Sequence, residues 1–418
     1  MPRAPPSDTA ASFVLGALSV EQDSLSQYRR EHRYDTLARR TKTHTRIGGE
    51  WFTECATYDR YGRAKQSFDA SGEGVANEYS PEGYVLRIRE AGTITAPSTT
   101  GPILWERFDS DARGNVTRER LAGVASMETT RSYNVATGRL STVYTSGPHA
   151  ASGFPLQDLV YTHDFHGNVL TRADKSLVGE FPVTRQDVAE RFTYDPLDRL
   201  TAVTRTRFGS VVSGGATQVT VRDDATLTQT YDRLGNLMSR TSVFGASNLG
   251  AYTYKSTPAG CTLAGPHAVS GVGAWEFCYD ANGNQTLQRQ GMGELVEFAW
   301  TGFDLPQRVR RRSTAAGYDN TSEFFYAPDR SRYKRVDRVL TLGSTSNIFR
   351  SGFEFAESDP AGVPRTYRFV GNVEFAVENG VEVVRRSIGG FLVHRRTAGG
   401  GASYEWRLSD GLGSVDAL

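Results

Sequence analysis

The sequence predicts an all-β protein in which consecutive β-hairpins join edge to edge into one long antiparallel sheet. Three observations support this. A short motif built on an aromatic residue, Asp and Gly recurs along the chain. The chain holds 43 glycines among 418 residues, and 11% of its residues are aromatic although only 38% are hydrophobic. Glycine-rich and aromatic-rich chains of this kind usually carry many tight turns between short strands.

The repeated motif is an aromatic residue, Asp, two variable residues, Gly and then Arg or Asn, with copies at intervals of 21–37 residues. Its defining residues are Tyr58, Asp59 and Gly62; Asp111 and Gly114; Tyr133, Asn134 and Gly138; Asp164 and Gly167; Tyr194 and Asp195; Tyr231, Asp232 and Gly235; and Tyr279, Asp280 and Gly283. In the Tyr194 copy, Asp198 stands in place of glycine. Degenerate copies begin at Tyr79 and Tyr252, and a worn copy without glycine begins at Tyr34.

Each part of the motif has a physical role. Aromatic residues two positions apart lie on one face of a strand, because side chains alternate. The Asp carboxylate is expected to accept the backbone N–H two residues further on, and Gly to supply a positive φ. Each copy therefore predicts a hairpin. A single hairpin is marginally stable in water, so neighbouring hairpins are expected to pair into a long sheet.

The motif divides the chain into three predicted parts. Residues 1–50 form a polar lead-in with the worn copy, residues 51–345 form the hairpin array, and residues 346–418 form a C-terminal segment. Stretches rich in Gly, Ser and Pro predict loops at 92–102, 146–155, 209–215 and 258–273. The net charge of +1 argues against a dedicated nucleic-acid-binding protein. No apolar run is long enough for a membrane-spanning helix, and we expect no cleaved signal peptide.

Candidate catalytic and metal-binding residues have simpler explanations. The repeat accounts for nearly every Asp as a turn residue, and the adjacent pair Asp223 and Asp224 should point apart. His163 and His166 could suggest a metal, but they occupy an aromatic position and a turn position of the motif. The three cysteines show no metal spacing, so we expect buried, unpaired thiols. The arginines at 308 and 310–312 could bind phosphate, but their alternation fits an exposed strand better. We therefore expect no enzyme, no cofactor and no metal.

The motif copies resemble the YD repeats of Rhs proteins, Tc toxin C subunits and teneurins, over residues 51–418. Further segments strengthen this resemblance: Pro-His-Ala-Val at 266–269, Phe-Ala-Trp-Thr-Gly-Phe-Asp-Leu-Pro at 298–306, and the stretches at 324–335 and 404–415. The last contains Asp410, Leu412, Gly413 and Ser414, similar to the Asp-His-Leu-Gly-Ser segment near the end of the Rhs core. Gly411 stands where histidine is usual.

The resemblance implies that the hairpins form a spiralling, partial and open shell. In the family such shells enclose a cargo, commonly a C-terminal toxin released by self-cleavage. The family's protease and toxin should lie beyond residue 418, so we expect a truncated or remnant C-terminal part of a shell. The expected partners are a polypeptide cargo or the remaining shell segments. The expected location is outside the cell or on its surface, reached without a cleaved signal, or the cytoplasm before delivery.

Two functional hypotheses follow. The first is a non-catalytic shell part that encapsulates a polypeptide toxin for interbacterial competition or secretion. The second is a cell-surface adhesion or carbohydrate-binding module, which would use exposed aromatic and Arg side chains. A neighbouring toxin gene would favour the first hypothesis, and binding to glycans would favour the second.

Overall fold

The computed structural model describes residues 16–24, 27–122, 126–147, 155–176, 183–213, 216–243, 248–262, 264–291, 293–313, 317–341, 364–378, 380–410 and 414–417. Within these residues the regular structure is entirely β, which confirms the predicted fold class. The described part of the chain contains no helix that is long and apolar enough to cross a membrane.

The strands of the first half of the chain are short and closely spaced. They are β1 (Val20–Gln22), β2 (Tyr28–Tyr34), β3 (Arg40–Ile47), β4 (Glu50–Tyr58), β5 (Ala64–Phe68), β6 (Glu73–Tyr79), β7 (Val85–Thr93), β8 (Ala96–Pro97), β9 (Ile103–Ser110), β10 (Val116–Leu121), β11 (Met127–Tyr133), β12 (Leu140–Ser146), β13 (Gln157–His163), β14 (Val169–Asp174), β15 (Val183–Tyr194) and β16 (Leu200–Ser213).

The second half continues in the same way. Its strands are β17 (Ala216–Tyr231), β18 (Leu237–Ser242), β19 (Gly250–Tyr254), β20 (Val269–Val272), β21 (Trp275–Tyr279), β22 (Gln285–Gln290), β23 (Glu294–Trp300), β24 (Pro306–Ser313), β25 (Tyr318–Tyr326), β26 (Arg332–Thr341), β27 (Arg365–Val370), β28 (Val373–Glu378), β29 (Val381–Ile388), β30 (Leu392–Thr397), β31 (Ala402–Trp406), β32 (Leu408–Ser409) and β33 (Val415–Ala417).

The sheet is a continuous antiparallel meander of 31 strands. Each strand pairs with the next along the chain, except that β8 pairs with β7 alone and β9 pairs directly with β7. In the described part of the chain the sheet does not close, because β1 and β31 each have one partner. The predicted open sheet of joined hairpins is therefore confirmed. The strands β32 and β33 form a separate hairpin.

The sheet has two distinct rims. The motif turns lie along one of them, which we call the repeat-turn rim, and the connections between hairpins lie along the opposite rim. The pairing register shifts beside the motif turns, for example between Thr57 and Tyr58 and between Thr230 and Tyr231. Such bulges increase the twist of a strand pair, so the repeat also bends the sheet regularly.

The sheet returns onto itself further along the chain. Strands β26–β32, the second winding, bring their repeat-turn rim against the opposite rim of β2–β14, the first winding. We call this contact the seam. Its polar contacts join residues 238 to 323 positions apart, so one turn of the spiral takes about that many residues. The largest buried apolar cluster also spans the seam, with Tyr28, Ile47 and Phe52 against Tyr333, Val370 and Phe375.

Two local expectations are wrong. The segment 209–215 was expected to be a loop, but β16 runs to Ser213 and pairs with β17 up to Ala216 in the longest hairpin of the sheet. Gly209 and Ser210 continue the ladder because backbone hydrogen bonds do not depend on their small side chains. The cysteines were expected to be unpaired, but Cys261 and Cys278 form a disulfide, and the third cysteine, Cys55, takes no part in it.

Candidate functional site: the repeat turns and the seam

Most motif turns are closed by the carboxylate of their Asp. In the Asp59 turn, Oδ1 accepts the backbone N–H groups of Tyr61 at 2.8 Å and Arg63 at 3.0 Å. Oδ2 accepts Nε of Arg63 at 2.7 Å. The N–H of Gly62 donates to the Asp59 carbonyl at 3.0 Å, with Gly62 at φ 81°. One side chain therefore satisfies three donors and fixes five residues, more than the single capping bond that the sequence suggested.

The other copies have the same geometry with small variations. The carboxylates that accept the N–H groups two and four residues further on are those of Asp35, Asp111, Asp195, Asp232 and Asp280. Asp164 accepts the N–H groups of Gly167 and Asn168. Asn134 accepts those of Ala136 and Thr137 in a turn that is one residue longer. Gly114, Gly138, Gly167, Gly235 and Gly283 all have positive φ.

Where the motif lacks glycine, another residue takes the left-handed conformation. Asp198 has φ 59°, which Asp tolerates better than most residues. Its Oδ1 accepts Nδ2 of Asn168 at 2.8 Å and lies 2.9 Å from Nδ1 of His166. The Asp198 turn therefore links to the preceding repeat, and His166 takes part in this link. Among the described residues no group of three His, Cys, Asp or Glu side chains could hold a metal ion.

The motif tyrosine binds backward to the preceding repeat. The Tyr58 hydroxyl donates to the Arg40 carbonyl at 2.7 Å, and the Tyr231 hydroxyl donates to the Leu200 carbonyl at 2.8 Å. Equivalent bonds are made by Tyr79, Tyr133, Tyr194, Tyr254 and Tyr326. Trp300 does the same with its indole N–H. This explains why the motif prefers tyrosine to phenylalanine, which sequence reasoning did not foresee.

The Arg or Asn at the end of most motif turns binds forward to the next repeat. Nη1 of Arg199 donates to the Asp232 carbonyl at 3.3 Å, and Nδ2 of Asn284 donates to Oδ1 of Asp304 at 2.7 Å. The Arg199 guanidinium also lies 4.6 Å from the ring centre of Tyr231. Arg39 and Arg63 stack in the same way on the next motif tyrosines. The turns therefore form a chain of contacts along the rim.

Protonation states suit these roles. Hydrogen bonds from the side chains of Arg39, Asn115 and Arg199 hold the pKa of Asp35, Asp111 and Asp195, respectively, below its ordinary value. These carboxylates are therefore acceptors at neutral pH, not proton donors. Burial raises the pKa of Tyr194 and Tyr326, so their hydroxyls keep the proton that they donate.

The seam contains a cluster of buried charges. Arg386, on β29, donates from Nε to Oδ2 of Asp69 at 2.7 Å and from Nη1 to Oε2 of Glu73 at 2.5 Å. Arg396 and His394 also contact the Glu73 carboxylate, at 2.5 and 3.2 Å. The hydrogen bond from His394 is the main reason why the pKa of Glu73 falls to about 2; the charges of Arg386 and Arg396 add to this, and burial opposes it.

Apolar side chains complete the seam. The rings of Phe52 and Phe375 lie 4.7 Å apart, and those of Tyr28 and Tyr333 lie 4.8 Å apart. Phe391, which follows the turn between β29 and β30, packs against the clusters around Leu104 and Leu121. A cavity of about 500 Å³ remains beside the seam. It is lined by charged residues that include Arg40, Lys42 and Glu54, and burial raises the pKa of Glu54.

The remaining predicted residues fall into ordinary structural roles. Asp410 accepts the N–H of Ser414 at 2.9 Å, as a motif Asp does four residues further on; Gly411, Leu412 and Gly413 lie outside the described residues. Arg310 and Arg311, on β24, pair with Asp319 and Glu294. His163 lies at the end of β13, where burial lowers its pKa. Asp223 and Asp224 lie within β17.

These turns, their links and the seam define a winding antiparallel sheet built from repeated hairpins. No family model and no curated protein matches the chain. Solved structures do match the chain. One is the TcdB2-TccC3-Cdc42 complex, with a TM-score of 0.69 and 16% identity over 93% of this chain and 19% of that chain. Another is the TcdB2-TccC3 complex, with a TM-score of 0.67 and 16% identity over 93% of this chain and 20% of that chain. A third is the Tc holotoxin pore of Photorhabdus luminescens carrying a TccC3 mutation, with a TM-score of 0.64 and 17% identity over 93% of this chain and 19% of that chain.

The similarity to these structures concerns the fold. Their sequence identity to this chain is low, but the match extends over nearly all of it. The resemblance to YD-repeat proteins that the motifs predicted is therefore confirmed at the level of the fold. This chain spans about a fifth of the length of the chains it matches.

Proposed function

We propose that this protein is a structural, non-catalytic section of a YD-repeat shell that encloses a polypeptide cargo. The seam carries the proposal, because a sheet whose rim returns onto its own opposite rim makes a wall rather than a solid core. The similarity in fold to Tc toxin complexes supports the same role. By that analogy the cargo would be a toxin delivered in bacterial competition or secretion.

Further shell segments are the second expected partner. Large apolar side chains at the tips of the first turns are more than half exposed: Leu37, Tyr61, Val135, Phe165, Leu197 and Leu234. Phe391, at a turn of the second winding, is an example of such a side chain in a partly buried setting, because it packs against the opposite rim of the first winding. A rim of exposed apolar tips therefore fits a neighbouring winding, supplied by a longer form of this protein or by another chain. The chain would then be one part of a larger shell.

The absence of catalysis is proposed from the chemistry of the carboxylates. In the repeats they accept hydrogen bonds from the backbone and from the neighbouring Arg or Asn, so their lone pairs are engaged. General acid catalysis requires a carboxyl group whose pKa is raised, whereas the pKa of these groups is lowered. Burial raises the pKa of two carboxyl groups outside the motif turns, Glu54 and Asp337. The residues that line the cavity beside Glu54 include no histidine to act with it.

The experiment is to isolate the tagged protein from its native cells and to image it by cryo-electron microscopy. We expect a curved wall and a co-purifying polypeptide that resists protease. The variant Arg386→Glu should open the seam and expose that polypeptide. The matched variant Arg385→Glu alters a cation that pairs within the second winding and should preserve protection. A solid globule, or protection unaffected by Arg386→Glu, would contradict the proposal. Binding to glycans with no cargo would favour the adhesion hypothesis.

A further inference from the structure

One turn on the repeat-turn rim is much longer than the others described there. Between β19 and β20, Tyr254 pairs with Val269, so residues 255–268 replace a short motif turn. These residues include no Asp or Glu, and a carboxylate cap is therefore impossible. The disulfide between Cys261 and Cys278 lies here instead. We call residues 255–268 the cysteine-closed turn.

The disulfide joins this turn to the next strand of the sheet. Cys278 belongs to β21 and is buried, while Cys261 is half-buried within the turn. Their Cα atoms are 5.2 Å apart, within the roughly 4.4–6.8 Å that disulfides span. The neighbouring Thr262 hydroxyl donates to the Tyr279 carbonyl at 2.6 Å. The turn is thus fixed directly before the Asp280 repeat.

The far end of the cysteine-closed turn receives the contacts of the preceding repeat. Nδ2 of Asn236 donates to the Pro266 carbonyl at 3.1 Å, and Nδ1 of His267 lies 2.8 Å from Oδ1 of Asn236. Asn236 belongs to the Asp232 turn, whose forward contact would otherwise reach a motif turn. The chain of contacts along the rim therefore passes through a segment whose position depends on a covalent bond.

We propose that the Cys261–Cys278 disulfide replaces the carboxylate cap in this repeat, and makes one turn of the sheet sensitive to redox conditions. Formation of the bond removes two protons and two electrons from the thiols, and a disulfide oxidant such as glutathione disulfide accepts them and becomes two thiols. A dithiol reverses the step and is itself oxidised to a disulfide. The turn is closed in oxidising surroundings, and it loosens in a reducing cytosol. This inference is independent of whether the sheet encloses a cargo.

The magnitude follows from loop closure. A disulfide across a loop of about this length stabilises the closed form through chain entropy, by a factor on the order of 100. Reduction should therefore speed hydrogen exchange of the hydrogen-bonded amides in this turn, those of Cys261 and Ala268, by on the order of 100-fold. Exchange in the Asp59 turn, which has a carboxylate cap and no disulfide, should stay the same.

The test uses the full chain equilibrated with glutathione disulfide. Thiol alkylation and peptide mapping should show Cys261 linked to Cys278 and Cys55 alkylated. Hydrogen exchange is then compared before and after dithiothreitol. In the Cys261→Ser variant the turn should exchange as fast as in the reduced protein, and dithiothreitol should not change its exchange rate. In the Cys55→Ser variant dithiothreitol should accelerate exchange as much as in the wild type. Alkylation of all three cysteines after oxidation would overturn the proposal. So would equal exchange of this turn in the oxidised and reduced proteins, because the bond would then not hold the turn in place.

Discussion

Replacing Arg386 with methionine should open the seam. The Arg386 side chain is 7% exposed and pairs with Asp69 and Glu73 on the other winding. Methionine is uncharged and cannot donate, so both carboxylates lose this partner in a buried position. Removing one partner of a buried ion pair typically costs about 3–5 kcal/mol. We expect a loss of stability in this range, concentrated in the strands that meet at the seam.

The matched control is Arg385→Met. Arg385 is adjacent in sequence and pairs with Glu374 and Glu378, but its side chain is 29% exposed and its partners lie in the same winding. Such pairs contribute about 0–1 kcal/mol. Urea denaturation gives the overall loss, and hydrogen exchange of β6 and β29 locates it, since a long sheet can unfold in stages. Equal effects of the two substitutions would refute the reasoning that the seam depends on buried charge.

Three further predictions concern single side chains. The pKa of Glu73 falls from 4.5 to about 2 on folding, so its stabilising contribution should be complete above pH 4.5 and disappear as pH falls toward 2. The difference in unfolding free energy between wild type and Glu73→Gln, measured by urea titration, should therefore shrink to zero over that pH interval. A constant difference would contradict this. Gly235→Val, at φ 88°, should lower the free energy of unfolding by about 1–2 kcal/mol, whereas Ala38→Gly, at φ 61°, should raise it by up to about 1 kcal/mol. Unchanged melting temperatures in both variants would count against the turn geometry. Tyr231→Phe should lower the free energy of unfolding by about 1 kcal/mol, because the hydrogen bond of the hydroxyl is lost. The control Tyr144→Phe, at an exposed tyrosine, should leave thermal melting unchanged. Equal effects would argue against the hydrogen bond from Tyr231 to the preceding repeat.

Local features of the fold could be predicted from the sequence because local physics specifies them. Alternating aromatic residues, a capping Asp and a glycine with positive φ specify a hairpin without reference to the rest of the chain. The positions of Asp232 and Gly235 follow directly from this. The worn copy at Asp35 also makes the motif turn, with Ala38 in the glycine position. Local reasoning therefore extended even to copies that had lost a motif residue.

The links between repeats were harder to foresee. The tyrosine hydroxyl and the terminal Arg or Asn bind partners in neighbouring repeats, at positions that depend on strand register. The seam is harder still, because its contacts join residues up to 323 positions apart and no sequence pattern marks them. The disulfide was missed for a similar reason. Cys261 and Cys278 show no recognisable spacing, and only the enlarged turn brings them together.

The links between neighbouring repeats have an evolutionary consequence. Because most hairpins reach back with a hydroxyl and forward with a cation or amide, a gene duplication or deletion of such a hairpin would leave the new junctions with compatible partners. The seam imposes the opposite constraint, since Arg386 must meet Asp69 and Glu73 after a fixed number of intervening strands. Hairpins added at the ends of the sheet would therefore leave the seam intact, whereas hairpins added or removed between β6 and β29 would separate Arg386 from its two carboxylate partners.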